Sequence, residues 1–340
     1  MKKTIAGVIA LVMLFTFMFA GSAVAEEKKL SVVTTIFPVY DWVREIVGDS
    51  DDVEITMLLD SGVDLHSYQP TARDIMKVAG CDVFAYVGGE SDEWVEGALA
   101  EAVNPDMVVV NLVEAMGDDI KAEEIVEGME HEHEHDEDHD EDHDEDEDHD
   151  HDEDHDHDHE EEADEHVWLS LRNAEKLVMA LADALCAADP DRADTYAANA
   201  EAYAEKLAAL DSAYAAARAA ADFDTLLFGD RFPFRYMADD YDLNYYAAFT
   251  GCSAESEASF ETVVFLAGKV DELGLTTVLT IEGDNHRIAE TIVQNTASRD
   301  AKIVAMDSMQ ATTAADVQGG VTYLAVMEAN LEALKQALTK

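Results

Sequence analysis

LSVVTTIFPVYDWVREIV, residues 30–47, changes its period within one short segment. Its first part, Ser31–Phe37, is dense in β-branched residues and reads as a strand. Pro38 then opens a helix over Val39–Val47, at the one helical end where a ring without an N–H is tolerated. A strand running straight into a helix is the repeating unit of a parallel sheet. The unit recurs. Val53–Leu59 is a second strand, followed by a polar loop and a helix from about Thr71. Cys81–Val87 and Met107–Asn111 are the third and fourth, with a helix near Asp92–Ala102 between them.

A second set lies far downstream. Thr225–Phe228, Asn244–Ala248, Thr276–Ile281 and Lys302–Met306 read as strands, with helices near Phe234–Asp239, Ser259–Leu273, His286–Ala297 and Val317–Leu338. Between the sets, Leu171–Ala188 is helical and stops near Pro190. Asp191–Ala221 follows without Gly or Pro and is rich in Ala, which predicts one continuous helix roughly 45 Å long. The expected class is therefore α/β: two small lobes with parallel four-stranded sheets, joined by one long rigid helix. The corresponding divisions are 26–188, 189–221 and 222–340.

Residues 1–25 have the pattern of a cleavable signal peptide: Lys2 and Lys3, an apolar stretch from Ile5 to Ala20, then Ala23-Val24-Ala25. The expectation is export to the periplasm or another extracytoplasmic space. No Cys sits near the cleavage site to carry a lipid. Cys81, Cys186 and Cys252 are the three cysteines. An oxidising compartment permits one disulfide among them, but the sequence does not choose the pair. None has C-x-x-C spacing, so no cysteine-based zinc site is expected.

The net charge of −55 on 340 residues excludes the basic patches that nucleic acids and anionic membranes require. Much of the charge comes from Glu130 to Glu165, where 25 residues are Asp or Glu and ten are His. No apolar face can be drawn on this run at either period, so it is expected to be disordered. His131, His133, His135, His139, His143, His149, His151, His155, His157 and His159, set among carboxylates, make it a low-affinity collector of transition-metal cations. Only His66, His166 and His286 lie outside it.

Two of these sit in recognisable surroundings. Asp64-Leu65-His66-Ser67-Tyr68-Gln69-Pro70-Thr71 resembles the D-P-H-x-Y-x-P-T loop of the metal-binding proteins of zinc and manganese ABC importers. Glu165-His166-Val167-Trp168-Leu169 is similar to that family's second motif, P-H-V-W-L, which its zinc members often precede with a His- and acid-rich loop. The resemblance spans the mature chain, including Asn199 in the long helix. It implies two lobes with the metal between them, and a divalent ion, Zn2+ with Mn2+ as the alternative, passed to a membrane permease driven by a cytoplasmic ATPase. A monomer is expected. His66 and His166 are implied as ligands from the first lobe.

From the second lobe the family supplies a His or Glu and often an Asp. Asp307, directly after a strand, matches the last. In Phe228-Gly229-Asp230-Arg231-Phe232-Pro233-Phe234-Arg235-Tyr236 the family's H-x-A-F-x-Y has Arg231 at the His position, and Arg cannot ligate. Asp230 is the nearest replacement, with Glu282 and His286 as further candidates. Arg231 is expected to pair with a carboxylate and close the site. Three His with one oxygen suit zinc, whereas two His with two carboxylates suit manganese or ferrous iron. Two other readings are open. A metalloenzyme could use Glu282 as its base, but no H-E-x-x-H, H-x-H-x-D or nucleophile-elbow pattern occurs. A periplasmic zinc buffer or metallochaperone would share the run yet has no need of the His66 and His166 motifs.

Overall fold

In the computed structural model, which describes residues 29–129, 163–253, 257–283 and 285–340, the strands form two parallel sheets. The expected signal peptide and residues 130–162 of the acidic run, with its ten His, lie outside the described residues, whereas Asp164 and Glu165 at the run's end are buried rather than disordered. Strands β1 (Leu30–Thr34), β2 (Val53–Met57), β3 (Val83–Tyr86) and β4 (Val108–Asn111) are ordered β2-β1-β3-β4. Strands β5 (Thr225–Phe232), β6 (Asn244–Thr250), β7 (Thr277–Thr280) and β8 (Lys302–Ala305) repeat that topology as β6-β5-β7-β8. Val32 and Val33 on β1 are both buried, as a strand covered on its two faces requires.

The helices are α1 (Phe37–Val47), α2 (Ala72–Gly80), α3 (Trp94–Ala100), α4 (Leu112–Met116), α5 (Leu171–Ala188), α6 (Ala193–Ala219), α7 (Arg235–Asp240), α8 (Phe260–Leu273), α9 (Arg287–Asn295), α10 (Ala314–Gln318) and α11 (Tyr323–Ala337). Among the described residues none is long and apolar enough to cross a membrane. Helix α6 has 27 residues, about 40 Å. It starts two residues later than expected because Pro190–Arg192 form a separate 3-10 turn. Its buried residues, Tyr196, Ala200, Tyr203, Leu207, Leu210 and Tyr214, recur every three or four positions and make one stripe. Along that stripe α6 packs on α5, α1 and α11. Asn199 donates to the Ile46 carbonyl at the end of α1, at 2.9 Å. Tyr214 donates to the Met327 carbonyl in α11, at 2.7 Å. One hydrophobic cluster consequently crosses from the first sheet to Phe228 and Met306 of the second, while a smaller one covers the second sheet's other side.

Three elements depart from the sequence reading. The helix expected over Val317–Leu338 is two, α10 and α11, because Gly319-Gly320 interrupts it with Gly320 at φ +93°, and Thr322 recaps the chain by accepting the Ala325 N–H. Helix α4 was not expected; Asn111 caps it. Strand β5 runs on to Phe232, with its register broken between Phe228 and Arg231. Gly229 lies at that irregularity, where a Cβ would come within 2.5 Å of the Ala289 backbone, so only glycine lets α9 lie so close. The break sends Asp230 and Arg231 to different partners.

Candidate metal centre

His66 lies beyond the carboxyl end of β2, where open parallel sheets bind ligands, and His166 opens the 3-10 turn Val167–Leu169 before α5. After β2, Asp64 caps the turn Leu65–Ser67 by accepting the His66 N–H at 3.0 Å, and buried Leu65 anchors the turn. This presents His66 Nδ1 to Ser91 Oγ at 2.8 Å and His66 Nε2 to His166 Nε2 at 3.2 Å. His166 is fully buried. Asp164 Oδ1 accepts both its backbone N–H and its Nδ1–H, each at 2.9 Å. A carboxylate accepts only, so this pair fixes the His166 tautomer and leaves the Nε2 lone pair facing His66. The segment is itself held from the second lobe: Tyr236 donates to the Asp164 carbonyl at 2.9 Å, and Trp168 Nε1 donates to the Ser308 carbonyl at 2.9 Å.

With His166 Nε2 as acceptor, His66 supplies the hydrogen between the two rings and its Nδ1 accepts from the Ser91 hydroxyl. A cation entering between the Nε2 atoms exchanges that tautomer, moving the His66 hydrogen to Nδ1 where Ser91 Oγ receives it. Burial, helped by the His166 ring and by Arg231, pushes the His66 imidazole down to about 4 against the opposing pull of Asp64. It is therefore neutral, the form that ligates, at any physiological pH. The unfolded chain takes up this proton near 6.5 and the folded chain only near 4. Between those values the unfolded state binds more protons, so stability falls as pH falls. The contribution is complete above about pH 6.5 and is lost by about pH 4, up to roughly 3 kcal/mol. Urea denaturation in chelator is expected to show a larger loss from pH 7 to pH 4.5 for the wild type than for His66→Asn, a difference in which the carboxylates cancel. Equal losses would exclude a neutral, buried His66.

A third donor completes the group. His66, His166 and Cys252 form a metal-capable cluster among the described residues, with one ligand atom of each lying within 4.8 Å of the others. Cys252 follows β6. Its N–H donates to Glu123 Oε1 at 3.0 Å, and burial together with Glu123, Glu165 and Asp164 pushes its thiol far up. Gly251 lies against the His166 ring, where a Cβ would stand 2.9 Å from Cε1. Arg231 pairs with Asp64 at 2.7 Å and donates to the Ser253 carbonyl at 3.3 Å, tying the His66 loop to the Cys252 turn. The carboxylate that Arg231 pairs with is thus Asp64, not one of the candidate ligand carboxylates Asp230, Glu282 or Asp307. A pocket of about 380 Å³ opens on His66 and Cys252, walled by Glu90, Glu93, Glu123 and Glu165, a field that draws cations. Ala163, where the chain leaves the acidic run, lines the same pocket and is bridged to Ala122.

The other four candidates are not gathered with the two His. Asp230 turns inward, accepting from Thr280 Oγ1 at 2.6 Å, and His286 Nδ1 donates to the same hydroxyl at 3.2 Å. Both carboxylate oxygens of Glu282 are taken by Ser308, from its N–H at 2.7 Å and its Oγ at 2.6 Å. Asp307 accepts the Met309 N–H at 2.7 Å, and burial with the Glu282 charge raises it to about 6. Conversely, the spacing criterion applied to the cysteines does not reach Cys252. C-x-x-C spacing tests for two thiols from one turn, whereas Cys252 stands alone beside two His from other loops. Its place directly after a strand, the criterion that selected Asp307, was the available signal.

The model of the family described as zinc-uptake complex component A, periplasmic, matches residues 32–337. The zinc-binding lipoprotein AdcA of Streptococcus pneumoniae is 32% identical over 314 residues, covering 91% of this chain but only 56% of AdcA. The high-affinity zinc uptake system protein ZnuA of Bacillus subtilis is 29% identical over 318 residues, covering 94% of this chain and 90% of ZnuA. The crystal structure of the Zn(II)-bound ZnuA-like domain of Streptococcus pneumoniae AdcA is similar at a TM-score of 0.68 and 27% identity, over 91% of this chain and 99% of that domain.

Proposed function

We propose, because the chain belongs to the family of periplasmic zinc-uptake component A, that it captures Zn2+ outside the cytoplasm and delivers it to the permease of an ATP-driven importer. The observation that carries this reading is the approach of two imidazole Nε2 atoms to 3.2 Å in a buried crevice, each ring held through its other nitrogen. Such a pair is preorganised for one ion. His66 and His166 are the ligands in this reading, and no chemical step is required of the protein. Capture from a dilute medium needs tight holding, and delivery needs release on docking, so the turns that close the crevice move between the two states.

The ten His of the acidic run then act as a collector that raises the cation concentration at the pocket where the chain re-emerges at Ala163. Removing residues 130–162 is expected to leave one tightly held zinc per chain, read by elemental analysis after competition with a chelator. A periplasmic buffer would instead lose nearly all its zinc with the run. That outcome would sink the capture reading.

A further inference from the structure

We infer that Cys252 is the third protein ligand of the captured ion, making the centre a two-histidine, one-thiolate site selective for borderline and soft cations over manganese. The inference rests on the capture reading and assigns a residue of that same crevice. Tetrahedral zinc with nitrogen ligands at about 2.0–2.1 Å sets those nitrogens about 3.3 Å apart. The two Nε2 atoms stand at 3.2 Å, so they already span an ion. With a Zn–S bond of about 2.3 Å, a thiolate belongs about 3.6 Å from each nitrogen. Cys252 Sγ lies within 4.8 Å of a ring nitrogen of each His, a closure of about 1 Å on the scale of those bond lengths.

The turn that carries Cys252 is built to stay there. Glu123 holds its backbone N–H, Arg231 holds the next carbonyl while bridging to Asp64, and Gly251 gives the His166 ring its space. An independent observation points to a bound cation at the same place. Glu165 is 2% exposed, lines the pocket with His66 and Cys252, and leaves Oε2 with no hydrogen-bond partner at 3.8 Å from His66 Nδ1. A cation in the pocket that Glu165 lines with His66 and Cys252 would give that oxygen a charge to face. A buried carboxylate oxygen with nothing to accept is otherwise costly. On binding, the S–H bond breaks, the Zn–S bond forms, and the proton leaves to water through the pocket. Thiolate discriminates strongly between zinc and the oxygen-preferring manganese.

Co2+ is the probe, titrated into the full chain. Thiolate ligation gives a near-ultraviolet sulfur-to-cobalt charge-transfer band, and residues 130–162 contain no sulfur, so the run is silent in it. The band is expected with tight binding, and Cys252→Ser should abolish it. The same variant should weaken zinc binding more than about 100-fold, beyond the loss typical of outer-shell changes. A wild-type chain without the band, or a Cys252→Ser chain that keeps band and affinity, overturns the inference while the loss of tight zinc in His66→Ala leaves the capture reading standing. A wild type with no tight zinc at all would instead remove the capture reading itself. Should Cys252→Ser not fold, maleimide labelling of the wild type decides: zinc is expected to protect Cys252, and equal labelling with and without zinc overturns the assignment.

Discussion

His166→Ala is expected to raise the dissociation constant for zinc by about three orders of magnitude, about 4 kcal/mol. The ring is fully buried, its Nε2 faces His66, and its orientation is set twice over by Asp164. Alanine removes one donor and leaves a void that a compact ion cannot bridge. Asp164→Asn separates orientation from ligation. The amide still accepts through its oxygen but no longer favours the charge that a ligating imidazole develops, and about 10–100-fold is the expected loss. Competition titration of the run-deleted chain with a chromogenic chelator reads both. A His166→Ala protein within tenfold of the wild type would place the ion elsewhere.

Trp168→Ala is expected to cost about 3–5 kcal/mol of folding stability, the range for deleting a large buried aromatic. Trp168 is fully buried, donates Nε1–H to the Ser308 carbonyl of the second lobe, and accepts the Tyr323 hydroxyl at its own carbonyl at 2.6 Å. The substitution empties a cavity and orphans a buried carbonyl together. Equilibrium urea unfolding in chelator measures it. A loss below about 1.5 kcal/mol would mean that the crevice collapses to fill the space, outside the usual range for such sites.

The central strands were legible because parallel strands buried on both faces are runs of β-branched and aromatic residues, and the partly exposed edge strands β4 and β8 keep such runs. The meeting of His66 with His166 was legible because each sits in a short motif whose local turn depends on neighbours in sequence, Asp64 two residues before His66 and Asp164 two before His166. The carboxylates of the second lobe were not. Glu282 and Asp307 follow strands and Asp230 lies in the continuation of β5, which is as far as pattern goes. What decides their roles is competition for hydrogen bonds with residues distant in sequence, Thr280 for Asp230 and Ser308 for Glu282. Cys252 was hidden for the converse reason. It enters the crevice through contacts of Arg231, Glu123 and Gly251, three residues that carry no common motif. The end of α10 was misread locally, since two successive glycines outweigh an apolar periodicity that continues beyond them.

The hydrophobic cluster that runs from the first sheet past α6 to Phe228 and Met306 has a consequence beyond packing. Trp42 of α1 meets Tyr323 of α11 edge to face, with ring centroids 5.0 Å apart, so the two sheets share side chains rather than merely touching. Neither can open without exposing apolar surface of the other, and the two are expected to unfold as one cooperative unit, with a single transition in urea. An ion bound only by the native form stabilises that whole unit, by about 4 kcal/mol at a free concentration a thousand times its dissociation constant. Occupancy of a crevice a few ångströms wide is thereby read out as the lifetime of the entire molecule against proteases, with the loaded carrier outlasting the empty one.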